Sequence, residues 1–115
     1  MINKELLLIN EKESIKDALI AIKNNKSRHA LVTNDKSMVI GIISEGDIIN
    51  ALLKGSDISS KILPITNNSF IFINENDLSD SDKILSILKQ GILIIPVLDD
   101  NMKLVDIINY MDFLK

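Results

Sequence analysis

Apolar residues in this chain fall in short blocks that alternate between strand-like and helix-like spacing. Leu6 to Ile9 is an apolar run of strand length. Glu13-Ser14-Ile15-Lys16-Asp17 then opens a helix, with Ser14 as N-cap and Asp17 three residues on in a capping-box-like pair. Ile15, Ala18, Leu19 and Ile22 share one helical face, and Asn24 and Asn25 suit its end. His29 to Thr33 and Met38 to Ile43 read as two strands around the turn Asn34-Asp35-Lys36-Ser37. A second helix is expected from about Glu45 to Lys54, stopped by Gly55.

The same plan returns further along. Phe70 to Ile73 predicts a strand, and Ser79 with Asp82 predicts a helix start, with the end at Gln90-Gly91. Leu93 to Leu98 and Lys103 to Ile108 predict strands around Asp99-Asp100-Asn101, and Asn109 opens a last helix cut off at Lys115. A shift of 65 residues superposes the halves without a gap: Ser14 on Ser79, Asp17 on Asp82, Ile22 on Ile87, Val32 on Val97, Asp35 on Asp100, Asp47 on Asp112. It also lays Leu6-Leu7-Leu8 on Ile71-Phe72-Ile73. The expected organisation is a first repeat over 1–55, an irregular linker over 56–69 marked by Pro64 and Thr66-Asn67-Asn68-Ser69, and a second repeat over 70–115. Each half is a mixed α/β unit of order β-α-β-β-α. One half alone cannot bury both faces of a three-stranded sheet, so the two are expected to pack sheet to sheet with pseudo-twofold symmetry and a cleft on each side.

Composition narrows the chemistry. Of 115 residues 46% are hydrophobic and only 3% aromatic, so the core rests on Ile, Leu and Val. Without cysteine there is no disulfide framework, thiolate metal site or thiol nucleophile, which fits a cytoplasmic protein. The net charge of −3 and the lack of a Lys/Arg stripe argue against nucleic acid as a partner. The longest apolar run, Ile92 to Leu98, is too short to span a bilayer, and no signal-peptide pattern opens the chain, so no membrane association is expected. A single histidine, His29, no phosphate-loop pattern around Gly46, and no carboxylate partner for Glu45 or Glu75 leave poor resources for an enzyme. Asp99-Asp100 reads most simply as a solvated turn rather than a metal site.

The segment Gly41-Ile42-Ile43-Ser44-Glu45-Gly46-Asp47 resembles the hallmark of CBS domains: a glycine, two apolar residues, a hydroxyl residue, two variable positions and a carboxylate or amide. Arg28-His29-Ala30-Leu31-Val32 and Ile95-Pro96-Val97-Leu98-Asp99 resemble the strand that precedes the motif, and the order of elements matches in both repeats. The resemblance implies a tandem CBS pair, or Bateman module, that senses an adenosine-type nucleotide. AMP, ADP or ATP is the implied regulatory ligand, with no required cofactor and no catalysis of its own. On that implication Ser44 at a helix N-terminus meets a phosphate, Asp47 the ribose hydroxyls, Arg28 or His29 supplies positive charge, and Leu31 and Ile42 flank the adenine. Asp106 in Leu104-Val105-Asp106-Ile107-Ile108 stands where the motif has glycine. That variant is similar to CBS pairs joined to bacterial sugar-phosphate nucleotidyltransferases, which implies a covalently linked catalytic domain. The chain also stops inside a helix, as a piece of a longer protein would.

The same residues carry plainer readings. Ser44-x-x-Asp47 is an ordinary helix cap like Ser14-x-x-Asp17, and capping does not exclude binding. His29 at a strand start is commonly a half-buried structural residue. In the second repeat Asn109 replaces the hydroxyl residue, Asp112 keeps the carboxylate, and Ile92, Leu93 and Ile94 replace Ser27, Arg28 and His29. One good site is therefore expected, in the first repeat. The alternative is a homodimerising scaffold with a vestigial site, using apolar helix positions such as Ile48, Ile49, Leu52 and Leu53.

Overall fold

The structure, a computed structural model, describes residues 4–110. Asp112 and the expected last helix lie outside the described residues, apart from the helix's opening positions, Asn109 and Tyr110. The chain divides into two compact units, residues 1–70 and 71–115.

The first unit begins with a 3-10 turn, Lys4–Leu7, where a strand was expected, and the strand β1 follows at Leu8–Asn10. Helix α1 spans Ile15–Asn25, β2 His29–Thr33, β3 Val39–Ser44 and α2 Glu45–Leu53. β2 is central, parallel to β1 and antiparallel to β3. Ala30, Val32 and Ile43 point to one face, where Ile15, Ala18 and Ile22 of α1 and Ile48 and Ala51 of α2 complete a core with Ile9 and Ile62. Helix α1 starts as expected: Ser14 accepts from Asp17 N–H, and the Asp17 carboxylate accepts from Ser14 N–H. It ends on Lys26 in the left-handed region at φ 57°, donating to the Ile22 carbonyl. Gly55, at φ 110°, follows α2 and supplies the expected stop.

The segment 56–69, expected as a linker, is docked onto the first unit. Ser60 and Ile58 carbonyls accept from Ile15 and Lys16 N–H at 2.9 and 2.8 Å, satisfying two of the donors that a helix start leaves unpaired. Ile62 is fully buried in the core. Farther on, Asn67 exchanges both main-chain hydrogen bonds with Ile42, at 3.0 and 2.9 Å. That crossing explains Gly41. A Cβ there would collide with the Thr66 side chain and lie 2.8 Å from the Asn67 carbonyl oxygen.

The second unit has β4 at Ile73–Asn74, α3 at Ser81–Leu88, β5 at Ile94–Leu98 and β6 at Leu104–Asn109, with β5 central. Ile73, Ile84, Ile87, Leu88, Ile95 and Val97 form its core. The expected strand Phe70 to Ile73 is shortened at its start. It begins opposite Val97, one residue past Pro96, which has no N–H to donate to a neighbour.

The repeat at 65 residues holds through the hairpins: His29 pairs with Ser44 and Ile94 with Asn109, and both hairpins shift register at the same place, Val32/Thr33 and Val97/Leu98. It slips elsewhere. Ile9 lies opposite Val32, but Ile73, not Asn74, lies opposite Val97. The true equivalents, Asn10 and Asn74, each donate to the hairpin-turn aspartate, Asp35 at 3.2 Å and Asp100 at 2.9 Å. The helix start slips the other way: the cap of α3 is Asp80, accepting from Lys83 N–H at 3.1 Å, rather than Ser79.

Candidate functional site

Strand alternation sorts the first unit's hairpin into two faces. With Ala30, Val32 and Ile43 turned to the helices, His29, Leu31, Ile42 and Ser44 share the other face. His29 lies directly opposite Ser44 and Leu31 opposite Ile42. Four expected site residues are thus neighbours on one sheet face. Leu31 is completely buried, whereas His29, Ile42 and Ser44 are half-buried.

Ser44 ends β3 and caps α2. Its hydroxyl oxygen accepts from Asp47 N–H at 3.1 Å, and Asp47 Oδ2 accepts from Ser44 N–H at 2.9 Å. The Arg28 carbonyl accepts from Glu45 N–H at 3.0 Å and ties the helix start to the entry of β2. The same box closes differently at α1, where the Ser14 hydroxyl also donates to Asp17 Oδ2 at 2.9 Å. Ser44 makes no such bond among the described residues, so its hydroxyl proton remains available, as does Asp47 Oδ1. The plain capping reading and the binding reading of Ser44 therefore coexist. Capping uses the oxygen as acceptor and leaves the donor spare.

Arg28 is exposed and makes no ion pair among the described residues. His29 Nδ1 is buried without a hydrogen-bond partner. Burial pushes the imidazole's pKa down from 6.5, against the opposing pull of the Asp47 and Glu45 carboxylates, and the nearby Arg28 charge lowers it further. The main chain here is fixed by a residue that the sequence reading treated only as a helix end. Asn25 is buried; its amide donates to the His29 carbonyl at 3.0 Å and the Leu6 carbonyl at 3.3 Å, and its oxygen accepts from Ser27 N–H at 2.7 Å. Ser27 adds a bond from its hydroxyl to the His29 carbonyl and accepts from His29 N–H.

The second unit's matching positions are poorer in chemistry. Ile94 faces Asn109, and Pro96 faces Ile107. Ile94 and Pro96 are buried, and Leu93, at the Arg28 position, is an exposed apolar residue. Asp106, at the Gly41 position, is exposed and accepts from its neighbour Ile107 N–H at 2.8 Å. Among the described residues no cluster of His, Cys, Asp and Glu is arranged to hold a metal ion, and no helix is long and apolar enough to cross a membrane.

Residues 1–54 match the family model of the CBS domain. An uncharacterized protein of Helicobacter pylori strain J99 is 39% identical over 57 residues, which are 50% of this chain and 17% of that protein. The match thus spans about a sixth of that relative's length. Among solved structures, a CBS domain pair/ACT domain protein of Thermotoga maritima has a TM-score of 0.79 at 18% identity, covering 98% of this chain and 88% of that one. A CBS domain protein of Pyrobaculum aerophilum complexed with AMP has a TM-score of 0.76 at 20% identity, covering 97% and 89%. The cytosolic domain of the Mg2+ channel MgtE in complex with ATP has a TM-score of 0.78 at 18% identity, covering 99% and 46%. The fold of the chain is that of solved CBS domain pairs, and its first 54 residues are similar to the CBS domain.

Proposed function

We propose that this chain is a regulatory module that binds an adenine nucleotide at the α2 N-terminus of its first unit and passes the binding state to an attached domain. The observation that carries the reading is the cap at Ser44. One helix start has a spare Ser44 hydroxyl donor and a spare Asp47 oxygen within one turn, and its Glu45 N–H is bonded to the carbonyl of Arg28, which has no ion pair among the described residues. A helix N-terminus favours an anion, a guanidinium binds phosphate, and a carboxylate oxygen accepts from ribose hydroxyls. Similar folds complexed with AMP and with ATP support the adenine class of ligand. Asp112 keeps its proposed carboxylate role only if a weaker second site forms.

Regulation requires the ligand to bind one arrangement of the module more tightly than another. The match covers only 17% of the Helicobacter pylori relative, which supports a reading in which most of the natural protein is something else. A nucleotidyltransferase remains our proposal for that part, resting on the Asp106 variant of the motif. A second reading, a homodimerising scaffold, is favoured by one feature: α2 exposes Ile49 at 54% and Leu53 at 81%.

A thermal-shift series with AMP, ADP and ATP tests the function. A ligand at about 100 times its Kd stabilises by about 2.7 kcal/mol and raises the midpoint accordingly. No shift with any of the three would leave the scaffold reading, which light scattering would then test by showing a dimer.

A further inference from the structure

The segment 56–69 is held to the first unit in two parts of unequal strength. Its first part is fixed. The Ile58 and Ser60 carbonyls accept from the start of α1, Ile62 N–H donates to the Glu13 carbonyl at 3.1 Å, and the Ile62 side chain is buried in the core. The last part, Asn67 to Ser69, is exposed. Among the described residues, what ties it to another element is the pair of bonds that Asn67 exchanges with Ile42. A short exposed stretch held by one such pair opens at lower cost than one anchored in a core. Gly41 is fitted to this contact. Its φ is not positive, unlike that of Gly55 and Gly91, so its backbone conformation does not call for glycine. The approach of Thr66 and Asn67 does, since a Cβ at position 41 would collide with both. Ile42, the residue gripped, shares the open sheet face with Leu31 and Ser44.

Resting on the nucleotide reading above, we infer that Thr66–Ser69 is a latch that opens without the rest of the segment, and that the nucleotide site is coupled to it through Ile42. Closed, the latch fixes the β3 main chain two residues before Ser44, and with it the Ile42 side chain on which the base packs. The ligand then favours the closed form, and by reciprocity an open latch weakens the ligand. The latch is also the last stretch of the first unit before the second begins at residue 71, so its state alters the connection between them.

The test is amide hydrogen exchange of the whole chain, read residue by residue by NMR with and without AMP, beside calorimetric titration with AMP, ADP and ATP. Two variants open the latch from opposite sides. Gly41→Ala pushes Thr66 and Asn67 away. Asn67→Pro removes the N–H that the Ile42 carbonyl accepts, at an exposed position after an extended Thr66 (ψ 131°), as proline requires. In the wild-type chain the Ile42 amide is expected to exchange about tenfold or more faster than that of Ile62, and AMP to slow it by the larger factor. Both variants should leave the Ile42 amide unprotected while Ile62 keeps its protection, and should bind AMP about tenfold more weakly, within the usual range of coupling between sites. Equal exchange at Ile42 and Ile62, or loss of both together in the two variants, would overturn the latch. Unchanged AMP affinity in variants whose Ile42 amide is open would overturn the coupling and leave the nucleotide site standing. No heat from AMP, ADP or ATP would overturn the nucleotide reading and the coupling with it, while exchange at Ile42 still decides the latch.

Discussion

The two hairpins share a register, a bulge position and a turn, yet their open edges have opposite character. In the first, Arg28, His29 and Ser44 surround a capped helix start that keeps a hydroxyl donor in reserve. In the second, the corresponding positions are Leu93, Ile94 and Asn109, and a proline sits in the central strand. The backbone plan constrains apolar alternation and turn chemistry, which both copies keep. It places no demand on the edge residues, so these are where the copies diverge. The two copies thus keep one fold and differ in the polar chemistry at these positions.

Gly41 and Asp106 separate the units most sharply. Gly41→Val forces a side chain into Thr66 and the Asn67 carbonyl, and should cost about 2–3 kcal/mol in urea unfolding. Asp106→Val, at an exposed position, should stay within about 0.5 kcal/mol. Equal losses would mean that the docked segment 56–69 is not what requires the glycine. Asn25 and Gln90 form the next pair, 65 residues apart. Asn25→Ala removes its donations to the part-buried Leu6 and His29 carbonyls and the acceptor for Ser27 N–H, and should cost about 1–2 kcal/mol. Gln90→Ala, on an exposed side chain, should change little.

A comparison of the two capping boxes within the first unit gives a smaller but more specific effect. Ser14→Ala and Ser44→Ala should each cost about 1 kcal/mol of stability. Only Ser44→Ala should weaken AMP binding. The least effect is in pH. Because His29 has its folded pKa lowered, its contribution is full above its unfolded value near 6.5 and shrinks as pH falls from there toward the folded value. The urea midpoint should therefore fall between pH 7.5 and 5.5, and His29→Gln should flatten that slope. The second unit has no histidine and cannot contribute to it.

Much of this was legible in the sequence, and the reasons differ by segment. The hairpins were readable because each pair of apolar runs is joined by a short Asn/Asp turn that sets the pairing; a one-residue slip would turn the core face outward. The first strands were not, since Leu6-Leu7-Leu8-Ile9 and Ile71-Phe72-Ile73 are apolar without alternation and suit more than one register. The cap of α3 was ambiguous because Ser79, Asp80 and Ser81 can all cap. The docking of 56–69 was hidden because its apolar anchor, Ile62, opens the short run Ile62-Leu63-Pro64-Ile65, in which the proline breaks any helix or strand period. In the candidate site, the resemblance to the motif points to Ser44 and Asp47, and the strand before it to Arg28 and His29. Asn25 was missed because its work is to hold a turn rather than to carry the motif.

The most direct measurement is the stoichiometry and affinity of AMP by calorimetry for the wild-type chain beside Ser44→Ala and Ser14→Ala. One AMP per chain, weakened at least tenfold by Ser44→Ala and unaltered by Ser14→Ala, is the expected result. Two equal sites, or identical affinity in all three proteins, would contradict a single nucleotide site at the first unit's helix start.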